Sequence, residues 1–248
     1  DHREDNAFKV DSIFSLLKKN GKKLYYDSFS ALNMPFNGSD KNRLEMMLKN
    51  YKKNNTDLSL VYISAPDKYG HEFGPESEEL KNALLKMDSQ LEHYTHEVLK
   101  IDKKAKFIFL GDHGMSEVNK YFDAEKQILK IAKLNKLKLK KDFIYFLDST
   151  VVRLWYNSKK AKFAFEEELL SSDLFVKNGT FVDEEIALKE KIPWKDSRYG
   201  DIIWWANNGT LVFPDFFHRI KKYKGMHGYN TSLKCNQGLC IVFNDNSN

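Results

Sequence analysis

Apolar positions recur along this chain with the two spacings that separate helices from strands. In NAFKVDSIFSLLKKNGKK (6–23), Ile13, Phe14, Leu16 and Leu17 share one face and Gly21 follows as a stop, which predicts a helix. KLYYDSF (23–29) predicts a strand. SDKNRLEMMLKNYKKNN (39–55) predicts a second helix, with Ser39 or Asp40 as its N-cap. DLSLVYISA (57–65) predicts a buried strand that runs into the polar stretch PDKYGHEFGP (66–75), read as a tightly punctuated loop. From 76 to 101, Leu80, Leu84, Met87, Leu91 and Val98 follow helical spacing behind an acidic start, as the helix dipole prefers. KFIFLGDHGM (106–115) is a short apolar strand ending in a glycine-flanked polar turn.

The alternation of helix and strand predicts an α/β fold with a mostly parallel central sheet flanked by helices. Ligands of such sheets bind outside the carboxyl ends of the strands. Both polar turns, 66–75 and 111–115, follow strands. Further along, 142–157 predicts two short strands and 158–172 a helix. Residues 198–214 predict a hairpin turning at Asn207-Asn208-Gly209. With no internal repeat and no long linker, residues 1–248 read as a single domain.

Composition changes this picture little. The chain has 248 residues, 42% hydrophobic and 14% aromatic, enough for a sizeable core. The net charge of +5, from 40 basic and 35 acidic residues, does not call for a nucleic-acid partner. The basic run LKIAKLNKLKLKK (129–141) reads as a solvated helix face and a polar connection. No apolar run approaches the ~18 residues of a membrane span. The two cysteines, Cys235 and Cys240, are compatible with a local bridge or with two free thiols. Five Asn-x-Ser/Thr sequons (Asn37, Asn54, Asn178, Asn208 and Asn230) are a chance expectation in so Asn-rich a chain. Trp204 and Trp205 read as strand packing.

The candidate chemistry gathers on three segments. Asp67 and His71 follow one strand, Asp112 and His113 follow another, and His227 stands in KGMHGYN (224–230). Imidazole nitrogen and carboxylate oxygen are ligands of zinc and similar divalent ions. Five such groups exceed one tetrahedral site and nearly fill two. His93 and His96, three apart on the long helix, read as solvated surface histidines, and His218 as a loop residue.

DKYGHEFGP, GDHGM and GMHGYN resemble the three metal-binding motifs of the nucleotide pyrophosphatase/phosphodiesterase (type I phosphodiesterase) family of the alkaline phosphatase superfamily. The resemblance covers roughly residues 58–243 and implies an alkaline phosphatase-like fold, incomplete at its N-terminal side. It implies a two-zinc site, with Asp67, His71 and His227 on one ion and Asp112 and His113 on the other. It also implies hydrolysis of a phosphodiester or pyrophosphate bond in a small-molecule or nucleotide substrate, in an extracellular or periplasmic setting. The family adds a Thr or Ser nucleophile, an aspartate ligand and an asparagine from an upstream segment. Neither Thr150 nor Asp1, Asp5 or Asp11 matches those positions. The chain therefore reads as the C-terminal portion of such an enzyme, inactive by itself. Asn230 stands where the family commonly has aspartate, a mild departure. Two other readings are a non-catalytic metal-binding fragment and a phosphonate hydrolase of the same superfamily.

Overall fold

In the computed structural model, residues 9–27, 38–194 and 196–243 are described. Asp1, Asp5, Asn37, the start of the predicted first helix (6–8) and the end of the predicted first strand (28–29) lie outside them.

In chain order the elements are α1 (Ile13–Lys19), β1 (Leu24–Asp27), α2 (Asp40–Asn54), β2 (Leu58–Val61), α3 (Ala65–Phe73), α4 (Glu78–Ile101) and β3 (Phe107–Leu110). There follow β4 (Ser116–Glu117), β5 (Lys120–Phe122), α5 (Ala124–Leu134), β6 (Phe143–Asp148), β7 (Val151–Tyr156) and α6 (Lys159–Glu168). The last are α7 (Asp173–Asn178), β8 (Gly179–Phe181), α8 (Glu184–Lys189), β9 (Ile202–Ala206), β10 (Thr210–Val212), β11 (Gly225–Met226) and β12 (Cys240–Phe243).

These elements form two compact units. The first comprises Asp1–Lys68, Lys81–Phe109 and Ile241–Asn248. In it β1 pairs in parallel with β2, from Leu24↔Leu58 to Asp27↔Val61. Leu44 and Leu48 of α2 pack with Tyr94 and Val98 of α4 over Val61, Ile63 and Phe107. Helix α1 starts later than expected, because Ser12 caps it by accepting the Ser15 N–H (3.2 Å). Helix α2 begins as expected, with the Ser39 side chain accepting the Asn42 N–H.

The second unit comprises Tyr69–Leu80 and Leu110–Cys240. Its four-stranded sheet has the order β6-β7-β9-β8 and is antiparallel throughout. Phe143, Val152, Leu154, Phe165, Phe175 and Trp204 build the core beneath it. The α/β class holds, but the sheet with most strands is antiparallel. The reason is local: Asp148 pairs with Val151, so Ser149 and Thr150 alone join β6 to β7, and so short a link permits only an antiparallel pair.

Two expectations are corrected. The turn at 207–210 is present, with Gly209 at φ +80 and the Thr210 N–H on the Asn207 carbonyl (2.9 Å). Its arms do not pair as a hairpin. The Gly209 carbonyl instead accepts the Asn119 and Lys120 N–H groups, and β10 runs parallel to β5. The stretch 66–75 is also not a loop, because most of it is helix α3.

The basic run behaves as expected. Ile128, Ile131 and Ala132 of α5 are buried while Lys126, Lys130 and Lys133 are exposed. Cys235 and Cys240 are free thiols. Among the described residues, no helix is long and apolar enough to cross a membrane.

Candidate metal centre

Helix α3 begins where β2 has just ended, and its first donors are satisfied from outside. Asp40 accepts the backbone N–H of Ser64 (3.0 Å) and of Ala65 (2.9 Å) as well as the Ser64 hydroxyl (2.9 Å). Arg43 holds the same carboxylate at 2.5 Å. Burial raises the Asp40 pKa, but the hydrogen bonds from Ser64, Arg43 and Ala65 outweigh it and hold the carboxyl below its ordinary value. Pro66 suits the first helical turn, and Asp67 there meets the positive end of the dipole. Gly74, at φ +99, stops the helix by donating its N–H to the Gly70 carbonyl (2.9 Å), and Pro75 follows. The Pro and Gly-Pro punctuation that had suggested a loop is thus the punctuation of a short helix.

The helix sets the spacing of the two candidate ligands on it. Asp67 and His71 stand one turn apart on the same face. His71 Nδ1 lies 2.9 Å from the Gly225 carbonyl oxygen. A carbonyl only accepts, so Nδ1 carries the proton and Nε2 keeps the lone pair. This approach requires glycine, because a Cβ on Gly225 would stand 2.2 Å from the Gly70 carbonyl oxygen.

Strand β11 also brings the other histidines together. It pairs antiparallel with β4, with Met226 opposite Ser116. His227, just after β11, therefore meets His113, just before β4. Their rings stack at 3.5 Å and 17°. The His227 ring is also 5.0 Å from that of His71. Thr150 donates its hydroxyl to the Gly228 carbonyl (2.7 Å), and Trp205 Nε1 donates to it as well (3.2 Å). Thr150 thus supports the His227 turn. Asp11 is engaged by Lys19 (2.7 Å).

Ligand atoms of Asp67, His71 and His227 all lie within 4.8 Å of one another. Donors held at about 2.1 Å by a tetrahedral ion stand roughly 3.4 Å apart, so small torsional adjustments would close this group on one ion. Two imidazoles and a carboxylate suit zinc, and a ligand histidine whose Nδ1–H meets a carbonyl is the usual support. The residues fit a metal.

Asp112 and His113 do not join that group. His113 Nδ1 lies 2.9 Å from the Gly114 carbonyl, and its Nε2 lies 3.6 Å from Asp112 Oδ1. The Asp112 side chain is 88% exposed. The turn is held by Leu239, which exchanges backbone hydrogen bonds with Gly111, and by Asn236, whose carbonyl accepts the Gly114 N–H. Asn230 accepts the N–H and hydroxyl of Ser232, so it shapes a turn. His93 and His96 lie exposed on α4.

The sequence pattern missed Asp215. Pro-Asp-Phe-Phe-His (214–218) carries the signal of an Asp that caps its own turn, but such turns are too common to single out. Asp215 is fully buried and holds His218.

The family described as type I phosphodiesterase / nucleotide pyrophosphatase matches residues 7–230. Ectonucleotide pyrophosphatase/phosphodiesterase family member 7 of Mus musculus is 28% identical over 79 residues, which are 31% of this chain and 18% of that protein. Murine ectonucleotide pyrophosphatase / phosphodiesterase 5 superposes with a TM-score of 0.73 at 17% identity, over 97% of this chain and 65% of that one. An inactive form of the same murine protein, in complex with AMP, superposes at 0.72, again with 17% identity over 97% of this chain and 65% of that one. The chain spans less than two thirds of the length of these relatives. It belongs to the type I phosphodiesterase/nucleotide pyrophosphatase family.

Proposed function

We propose that this chain carries the metal-binding half of a zinc-dependent hydrolase of phosphodiester or pyrophosphate bonds, acting on a nucleotide. The observation that carries the reading is the convergence of Asp67, His71 and His227 in a chain of this family. Asp67, His71 and His227 would hold one zinc. Asp112 and His113 would contribute to a second. Bound ions of this kind stabilise charge on a phosphoryl centre and lower the pKa of an attacking hydroxyl.

The chain's own residues prepare that chemistry. The Gly225 and Gly114 carbonyls keep the His71 and His113 protons on Nδ1, so both rings offer Nε2 without rearrangement. The carboxylate of Asp67 offsets part of the positive charge of an ion. The reaction would also need an attacking Thr or Ser hydroxyl and a further aspartate ligand. The AMP-bound relative supports a nucleotide monoester as product. The relatives' description as ecto-enzymes supports an extracellular or periplasmic setting.

The test has two arms. Metal analysis of this chain after zinc loading and desalting should find bound zinc in the native protein and a clear loss in His71→Ala and His227→Ala. The full gene product should hydrolyse a nucleotide phosphodiester in preference to a phosphonate, and a chelator should abolish this. A native chain without zinc, or a full product inert to diesters at every zinc concentration, would sink the reading. Zinc binding with no hydrolysis would instead mark a non-catalytic metal-binding protein.

A further inference from the structure

Between β10 and β11 the chain crosses from the four-stranded sheet's neighbourhood to α3, and it carries a pair of side chains with no part in the reading above. Asp215 is 0% exposed. Such a carboxylate persists only when fully hydrogen-bonded. Its Oδ1 accepts the backbone N–H of Phe217 (2.7 Å) and of His218 (2.5 Å). Its Oδ2 accepts the Ser149 hydroxyl (3.1 Å) and lies 3.0 Å from His218 Nδ1. The carboxylate thereby fixes both the tautomer and the ring plane of His218.

From there the contacts lead to the candidate centre. His218 stands edge-on to Tyr223, with centroids 4.8 Å apart at 79°. The Tyr223 ring also lies 5.3 Å from the His71 ring. The Tyr223 carbonyl is tied down by the Tyr121 hydroxyl (3.0 Å). Lys224 then donates its N–H to the His71 carbonyl (2.9 Å), and Gly225 accepts from His71 Nδ1. Lys221 pairs with Glu72 of α3 at 2.8 Å. His71 is thus held by three consecutive residues, 223–225, and the strap that bears them is anchored at its far end by Asp215 and His218.

We propose that Asp215 and His218 are positioning residues for the metal-binding histidine His71, acting through Tyr223. A close-packed ring cannot rotate without displacing its neighbour. Tyr223 limits the imidazole of His71, His218 limits Tyr223, and the buried carboxylate limits His218. The inference rests on His71 being a metal ligand, as argued above.

Titration with Co²⁺ tests it, because the visible absorption of the bound ion reports ligand geometry as well as affinity. His218→Ala and Tyr223→Ala should each bind Co²⁺ about tenfold more weakly than the native chain, with shifted bands. Tyr223→Phe, which keeps the ring, should restore the native spectrum and affinity. Thermal unfolding without metal separates loss of fold from loss of positioning. Asp215→Asn adds a third variant if it folds. His218→Ala that is folded and retains native affinity and spectrum would overturn the inference. If the native chain binds no Co²⁺, the metal reading itself fails and this one with it, a result distinct from the former.

Discussion

Asp40 shows how much one side chain can decide. It lies in α2, yet it caps the start of α3, the helix that carries Asp67 and His71. Its pKa is held below the ordinary carboxylate value of 3.8. A lowered folded pKa contributes stability that is present above the unfolded value and is lost as pH falls through the folded one. Asp40→Asn should therefore cost about 2–4 kcal/mol at pH 7, since it leaves the buried Arg43 guanidinium without its carboxylate. Urea unfolding at pH 7 and pH 3 checks this. The gap between native and variant should narrow at pH 3, and an unchanged gap would rule out the linkage. The pairing of Asp40 with Ser64 was invisible to sequence periodicity because the partners lie 24 positions apart. By contrast, the cap Ser39 acts three residues away and was readable in the sequence.

At the level of elements, the close approach of β11 to α3 governs the candidate centre. Gly225→Ala would place a methyl against the Gly70 backbone, which cannot move aside as a flexible side chain can. The expected cost is about 1–3 kcal/mol, together with weaker zinc binding because the Gly225 carbonyl that orients His71 must shift. Gly21→Ala offers a contrast. It has open space around it but a φ of +67, so it should cost only about 1 kcal/mol and leave metal binding unchanged. Equal zinc affinity in native protein and Gly225→Ala, measured by calorimetry, would refute the role given to this contact. Strands β9 and β10 were legible from their apolar runs. Their partners were not: β9 and β10 looked like a hairpin because a turn sequence joins them, and only hydrogen bonds from Asn119 and Lys120 send β10 elsewhere.

For the whole molecule, the consequence of a bound ion is thermodynamic. Zinc that binds the folded chain and not the unfolded one should stabilise it by about 2.7 kcal/mol at a hundredfold excess over Kd. For a chain of this size that is a rise in Tm of roughly 5–11 °C. Differential scanning fluorimetry with zinc and then with a chelator should show the rise and its reversal, and His227→Ala should show neither. The sequence by itself determined the α/β class, the two longest helices and most strand positions, and it singled out Asp67, His71 and His227, whose ligand atoms the fold brings together. Caps, glycine stops and apolar spacing act within a few residues, so they are written locally. The tertiary structure decided the rest. It made 66–75 a helix, turned the largest sheet antiparallel, stacked His113 on His227 and placed a buried Asp215 behind His218. Each of those outcomes depends on which distant backbone groups meet, and strand pairing and burial settle that only once the chain has folded.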